Sequence, residues 1–99
     1  MARTIPPFIL EARPLTDEAR KVQGFRWADA EVGTRHRLGG DPEFLQEPIW
    51  PECPDCSERM CFYGQLDSIG DEVCIADCGM IYVFVCMDCN ETKSVIQSS

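Results

Sequence analysis

Four cysteines in two Cys-x-x-Cys units are the residues of this sequence whose spacing most directly predicts chemistry. The units are Cys53-Pro54-Asp55-Cys56 and Cys86-Met87-Asp88-Cys89, with 29 residues between them. Two residues between thiolates let a tight turn direct both sulfurs at one ion, and two such turns complete the tetrahedral four-sulfur shell that Zn²⁺ prefers. We therefore predict one structural zinc ion, held by Cys53, Cys56, Cys86 and Cys89.

A zinc shell of four protein sulfurs has no open position for water or substrate, so the predicted metal serves structure and not catalysis. The chain has only 99 residues, and a domain of this size often adds a staple to a modest hydrophobic core. A structural zinc ion supplies roughly 10 kcal/mol or more of apparent binding free energy, which counts towards folding. We expect the metal to decide whether the C-terminal half folds.

Three further cysteines, Cys61, Cys74 and Cys78, lie outside the two units. They could offer an alternative ligand, form a second partial site, or be buried thiols, and free cysteine commonly behaves as a small hydrophobe. We expect buried thiols, with Cys78 as the first substitute if one of the four primary ligands is wrong. The odd total of seven cysteines argues against a fully paired disulfide framework.

Catalytic alternatives have little support in the sequence. A thioredoxin-like Cys-x-x-Cys lies at a helix N-terminus, which lowers the pKa of its first thiol, and neither unit is followed by a predicted helix. A Cys–His nucleophilic pair would have to use His36, the single histidine, which we expect on the surface or in a turn. No phosphate-binding loop, serine nucleophile elbow or zincin motif is found. We predict that the chain is not an enzyme, with a thiol-redox or Cys–His enzyme as the alternative.

Charge is unevenly distributed and restricts the partners. The net charge is −8, but residues 1–40 carry about +2 and residues 41–99 about −10. An acidic surface repels phosphate backbones, so nucleic-acid binding, the alternative function of a zinc ribbon, is disfavoured. A basic protein partner is expected instead. The acids that we assign to its binding, and to an acidic face, are Asp67, Asp71, Glu72 and Asp77.

No apolar run approaches the roughly 20 residues that a membrane span needs, so we expect no membrane partner. The first ten residues contain no uninterrupted apolar segment of signal-peptide length, because Pro6 and Pro7 interrupt them. The expected location is therefore the cytoplasm, where thiols stay reduced.

The elements that position the cysteines are mainly strands. Period-2 alternation over 60–66 predicts a half-buried strand, the apolar run 80–85 predicts a central strand, and 91–97 can return as its antiparallel partner. The second cysteine unit would then lie at a hairpin tip. Upstream, Phe8–Leu10 predicts a short extended piece.

Local signals in the first fifty residues predict short helices and one packed ring. Residues 15–22 form the best helix candidate because Thr16 can cap it, and Asp41–Leu45 has the signature of a single helical turn. Phe25 and Trp27 are expected to pack, and Trp50 to anchor its loop onto the sheet.

The predicted fold class is α+β, mainly β: a small antiparallel sheet with a zinc-ribbon-like four-cysteine site. We expect one domain over residues 1–99. It divides into an irregular N-terminal arm with a short helix, residues 1–32, and a zinc-stapled β region, residues 33–99.

Residues 38–51 carry a family resemblance. Gly39-Gly40 and Pro42-Glu43-Phe44 precede Trp50-Pro51, and a strand with the pattern Phe62-x-x-Gln65-Leu66 follows. This order resembles the bacterial YwqG-like family of uncharacterised proteins. It is also similar to the zinc-binding N-terminal region of the programmed-cell-death-protein-two family, whose order the residues Cys53, Cys56, Met60 and Phe62 match.

The resemblance covers roughly residues 33–89 and implies a binding function. In the programmed-cell-death-protein-two family the domain acts as a chaperone for a basic ribosomal protein. Small acidic YwqG-like sequences also look like immunity proteins that cover the active site of a toxin. The resemblance therefore implies a non-enzymatic module that sequesters a basic client or toxin.

Overall fold

The computed structural model describes residues 4–28 and 31–98. Within them the chain forms β1 (Phe8–Ile9), α1 (Asp17–Val22), β2 (Arg37–Leu38), β3 (Cys61–Asp67), β4 (Met80–Cys86) and β5 (Glu91–Gln97). The five strands make one sheet in the order β1-β2-β3-β4-β5, and every neighbouring pair is antiparallel. The predicted small antiparallel sheet with little helix is confirmed. No helix among the described residues is long and apolar enough to cross a membrane.

Strands β3, β4 and β5 form a meander that supplies most of the sheet. In β4, every second residue is fully buried and those between are half-buried, so this interior strand is apolar on both faces, as predicted. Its partner β5 starts opposite Cys86 and ends opposite Met80. The buried face of the meander forms the core, with these side chains: Cys53, Met60, Phe62, Met80, Tyr82, Phe84 and Cys86.

The loop between β2 and β3 closes over that core. The rings of Trp50 and Phe84 lie 5.6 Å apart between centroids, and the indole N–H of Trp50 donates to the carbonyl of Met60 at 2.6 Å. The predicted anchoring role of Trp50 is confirmed, because one side chain supplies both apolar contact and a hydrogen bond to the start of the sheet.

The predicted helical turn at Asp41–Leu45 is wrong, since this segment is irregular. Its backbone amides are used by side chains of the sheet: Glu43 N–H donates to Gln65 Oε1 at 3.0 Å, and Leu45 N–H donates to the Tyr82 hydroxyl at 3.1 Å. These partners replace the i−4 carbonyls that a helical turn requires.

The arm agrees with prediction in its helix and strand and differs in one aromatic residue. Helix α1 is capped by Thr16, whose hydroxyl accepts from Ala19 N–H at 3.1 Å, and β1 pairs with β2. Phe25 is half-buried, whereas Trp27 is 91% exposed. The expectation that Trp27 packs is therefore wrong, because the segment after α1 bends away instead of continuing as an extended strand.

Candidate metal centre

Both Cys-x-x-Cys units adopt the same kind of turn. Ser57 N–H donates to the Cys53 carbonyl at 2.8 Å, and Asn90 N–H donates to the Cys86 carbonyl at 2.9 Å. Ser57 and Asn90 both have positive φ, 63° and 59°, a conformation that asparagine tolerates better than most residues. Each unit is therefore a tight turn closed by the residue directly after its second cysteine.

Each turn is mounted on paired backbone. Around the first unit, Cys53 N–H donates to the Glu58 carbonyl at 2.7 Å and Met60 N–H donates to the Pro51 carbonyl at 3.0 Å. The second unit connects β4 to β5, with Cys86 opposite Glu91 in the ladder, as predicted. Paired backbone, an isolated bridge between Glu52 and Arg59 at the first turn and the β4–β5 ladder at the second, fixes the direction of both turns.

The four thiol sulfurs converge on one point. The Sγ atoms of Cys53, Cys56, Cys86 and Cys89 all lie within 4.8 Å of one another, and those of Cys56 and Cys86 are 3.8 Å apart. A tetrahedral ion with metal–sulfur bonds of about 2.3 Å requires sulfur–sulfur distances of about 3.8 Å. The four residues fit a metal ion and could hold one.

The four members of this four-cysteine cluster differ in their burial. Cys53 and Cys86 are buried in the hydrophobic core, Cys89 is half-buried, and Cys56 is exposed. The cluster therefore lies at the edge of the core, with one side open to solvent, and would join the first turn to the β4–β5 hairpin when an ion is bound.

Backbone amides favour negative charge on the sulfurs. Asp55 N–H donates to Cys53 Sγ at 3.4 Å, and hydrogen bonding from Cys89 N–H lowers the pKa of the Cys86 thiol. By contrast, the hydrogen bond with Cys56, together with burial, raises the pKa of the Cys89 thiol. Four adjacent thiols cannot all ionise without a cation between them, so this arrangement of donors suits a cluster that gives up its protons to a metal.

Asp67 is not part of an exposed acidic face, and its assignment to partner binding is wrong. Its carboxylate is buried and accepts hydrogen bonds from the amides of Gly33, Arg35 and Ser68 at 2.7, 3.1 and 2.7 Å. The guanidinium of Arg35 pairs with it as well. A carboxylate committed to these donors stabilises the fold and has no free lone pair to offer a partner.

The other three acids assigned to partner binding are exposed. Asp71 accepts a hydrogen bond from Arg26 N–H at 3.3 Å, and Asp71 and Glu72 line a shallow groove with Lys21. Asp77 lies in the turn between Cys74 and Cys78, with a φ of 57°. The structure thus places these acids near the arm and near the third cysteine turn.

His36 is buried, so the expectation of a surface or turn histidine is wrong. It is 8% exposed, and its Nδ1 accepts from Asp67 N–H at 3.0 Å, while its buried Nε2 has no hydrogen-bond partner. The imidazole of His36 therefore accepts a hydrogen bond from the last residue of β3. Among the described residues it is not hydrogen-bonded to a cysteine thiol.

The three remaining cysteines divide into two kinds. Cys61 is buried, as expected. Cys74 and Cys78 are only half-buried, and their Sγ atoms are 3.5 Å apart. Neither belongs to the four-cysteine cluster, so Cys78 is not needed as a substitute ligand. The three-residue spacing between Cys74 and Cys78 was the available signal for this pair.

Comparison with known proteins finds similarity to part of a longer protein. The chain is 35% identical over 68 residues to the uncharacterised protein YpfL of Salmonella typhimurium strain LT2, a match that covers 67% of this chain and 16% of that protein. No protein-family model and no solved structure matches the chain. The chain spans about one sixth of that relative's length, and the relative's name states no function.

Proposed function

We propose that this chain is a non-enzymatic protein-interaction module in which a structural zinc ion joins the first cysteine turn to the β4–β5 hairpin. The observation that carries the proposal is the convergence of four sulfurs from two preformed turns. Four protein ligands fill a tetrahedral shell, so the ion has no site for water or substrate and acts as a staple.

Zinc is the ion that this set of ligands favours. Four thiolates are soft ligands, and a tetrahedral sulfur shell selects zinc or an iron–sulfur centre among the common metals. Two cysteine turns on two hairpins, joined through one ion, correspond to a zinc-ribbon arrangement. With zinc bound, the four thiolates would make the acidic half of the chain about two units more negative.

The open face of the sheet supports a binding role. Leu66 of β3 lies opposite Ile81 of β4, which lies opposite Ile96 of β5, so three apolar side chains form one row across the meander. Leu66 and Ile96 are about half exposed, as is the nearby Tyr63. A contiguous exposed apolar patch of this kind is typical of a protein-binding surface. We name Tyr63, Leu66, Ile81 and Ile96 the open apolar face.

Charge selects the partner. Residues 41–99 carry about −10, and exposed acids include Asp71, Glu72 and Asp77. A basic protein would be attracted by this field and would then bury apolar surface on the open apolar face. An immunity-type toxin inhibitor and a chaperone-like adaptor both fit this description, in line with the family resemblance.

The two alternatives fit the geometry less well. A thiol-redox site needs a helix N-terminus behind its cysteines, whereas both cysteine turns are followed by a residue with positive φ, and Asn90 leads directly into β5. A nucleic-acid site needs a basic surface, and the half of the chain that carries the cysteines is strongly acidic.

The test combines metal analysis with a binding assay. Purified protein should hold one zinc per chain, and immobilised protein should retain, from a lysate of its source cell, a partner of net positive charge. Leu66→Asp should abolish that retention because it places a charge in the open apolar face. Leu15→Asp is the matched control, since Leu15 is 95% exposed and precedes α1.

Equal retention by wild type and Leu66→Asp would contradict the proposed binding face. Binding of duplex DNA or of RNA at physiological salt, measured by fluorescence anisotropy, would favour the nucleic-acid alternative instead. Metal-free protein with thiols that cycle between dithiol and disulfide at the cluster would favour the thiol-redox enzyme.

A further inference from the structure

Cys74 and Cys78 are arranged as a second thiol pair, separate from the four-cysteine cluster. Their Sγ atoms are 3.5 Å apart, and Cys78 N–H donates to Cys74 Sγ at 2.8 Å. A disulfide requires a sulfur–sulfur distance of about 2.05 Å, so the two sulfurs need to approach by only about 1.5 Å. Side-chain rotation supplies a movement of that size.

The turn that carries the pair is fixed at both ends. Gly79 N–H donates to the Ile75 carbonyl at 2.6 Å. The buried hydroxyl of Ser68 accepts from Ile75 N–H at 2.9 Å and donates to the Gly79 carbonyl at 2.9 Å. Arg35 Nη2 adds a hydrogen bond to the Cys78 carbonyl at 3.1 Å. The backbone that carries Cys74 and Cys78 is therefore held by Ser68, which directly follows β3, and by Arg35.

The backbone of this turn is unusual. Ala76, Asp77 and Cys78 have φ values of 47°, 57° and 65°, a region that non-glycine residues rarely occupy. Such conformations persist only where the surrounding structure imposes them, and they concentrate at functional sites. Here their result is that the two sulfurs are brought into contact.

We propose that Cys74 and Cys78 form a redox-active dithiol that closes reversibly to a disulfide in response to hydrogen peroxide. Both residues are half-buried, so a small oxidant can reach them. The proposal goes beyond the metal-stapled binding module, because it uses neither the cluster nor the open apolar face.

The reaction is a two-electron oxidation with defined steps. The thiolate of Cys74 attacks one oxygen of the peroxide and the O–O bond breaks, so that Cys74 becomes a sulfenic acid and hydroxide leaves, which takes up the proton that the Cys74 thiol had released and forms the first water. Cys78 sulfur then attacks the Cys74 sulfur, the S–O bond breaks, and a second water leaves with the thiol proton. Two thiols and one peroxide give one disulfide and two waters. Two molecules of a small thiol reduce the disulfide back to the two cysteine thiols by exchange and are themselves oxidised to a disulfide.

The order of attack follows from the backbone amide hydrogen bond that Cys74 Sγ accepts at 2.8 Å, since such a hydrogen bond stabilises a thiolate. The hydrogen bond with Cys74, followed by burial, raises the pKa of the Cys78 thiol. Cys74 sulfur, in contrast, accepts the amide proton of Cys78. Cys74 is thus the attacking residue and Cys78 the resolving one.

The test uses the full chain loaded with zinc, treated with hydrogen peroxide, and then alkylated. Mass spectrometry of the intact protein should show two fewer alkylated thiols than in protein that was not treated with peroxide. An endoproteinase that cleaves before aspartate separates residues 71–76 from residues 77–87, so a Cys74–Cys78 disulfide leaves these two peptides linked. Dithiothreitol should separate them again.

Single variants make the assignment specific. Cys74→Ser and Cys78→Ser should each abolish the linked peptides completely, whereas Cys61→Ser, at a buried thiol outside both sites, should leave them unchanged. Under the same conditions a chromogenic chelator should detect no released zinc. Peptides linked through Cys86, zinc release before the pair is oxidised, or oxidation of a single cysteine with no link would each overturn the proposal. If the purified protein proves to be metal-free, its linked peptides are mapped in the same way. Failure of the zinc proposal is thereby distinguished from failure of the Cys74–Cys78 proposal.

Discussion

The guanidinium of Arg35 holds the carboxylate of Asp67 in a two-point ion pair, with Nε 2.9 Å from Oδ2 and Nη2 2.8 Å from Oδ1. The side chain of Asp67 is fully buried and that of Arg35 is 15% exposed. The same guanidinium reaches the carbonyl of Cys78. This ion pair therefore connects three parts of the chain: the residues just before β2, the end of β3 and the Cys74–Cys78 turn.

Asp67→Asn should destabilise the protein by about 3–5 kcal/mol, because it leaves the buried guanidinium of Arg35 without its counter-charge. Urea unfolding followed by circular dichroism measures the change. Asp17→Asn is the control: Asp17 pairs with Arg20 at a similar distance, 3.0 Å, but on the surface, where an ion pair contributes about 1 kcal/mol or less. Similar losses in both variants would contradict a structural role for the buried pair.

The pH dependence of the free energy of unfolding should reflect the ionisation of the Asp67 carboxylate. Burial by itself would raise the pKa of Asp67, but the hydrogen bonds from Arg35 and from backbone amides outweigh it, so the pKa is lowered. A group with a depressed folded pKa stabilises the protein above its unfolded pKa, about 3.9, and loses that contribution as pH falls through the folded pKa.

The stability gap between wild type and Asp67→Asn should therefore be constant near neutral pH and shrink below about pH 4. Urea midpoints measured from neutral to acidic pH give this gap. Because both proteins carry the same cysteine cluster, acid release of its metal affects both and cancels in the difference. A gap that stays constant down to the lowest pH would show that the charge of Asp67 does not stabilise the fold.

Local patterns sufficed to predict the hairpin and the cluster but not the buried polar groups. The apolar run in β4 and the Cys-x-x-Cys spacings are signals carried by near neighbours in the sequence. The burial of Asp67 depends instead on Arg35, 32 residues away, and an acid at the end of an alternating segment looks like a surface residue. The burial of His36 is not visible in local patterns for the same reason, since its partner is the amide of Asp67, 31 residues away.

Removal of one cluster cysteine should cost both metal and stability. Cys53→Ser should lose the bound ion, because serine does not supply a soft thiolate, and should lower the melting temperature strongly, since the ion's binding free energy is folding free energy. Elemental analysis and thermal unfolding with and without a chelator measure the two effects. Cys61→Ser removes an equally buried thiol outside the cluster and should keep the metal. Retention of one ion per chain by Cys53→Ser would remove Cys53 from the ligand set.

Tyr82→Phe should loosen the loop that covers the core. The Tyr82 hydroxyl donates to the Glu43 carbonyl at 2.7 Å and accepts from Leu45 N–H at 3.1 Å, and its removal leaves two backbone groups without their partner. The expected loss is about 1–3 kcal/mol in the free energy of unfolding, with faster amide hydrogen exchange at Leu45.

Tyr63→Phe provides the matched control, because Tyr63 is about half exposed and water can reach its hydroxyl. Its loss should stay within about 0.5 kcal/mol. If Tyr82→Phe cost no more than Tyr63→Phe, the loop would be held by the rings of Phe44 and Trp50 against the core, and the hydroxyl would contribute little. Slow exchange at Leu45 that persists in Tyr82→Phe would lead to the same conclusion, since the amide would then have another acceptor.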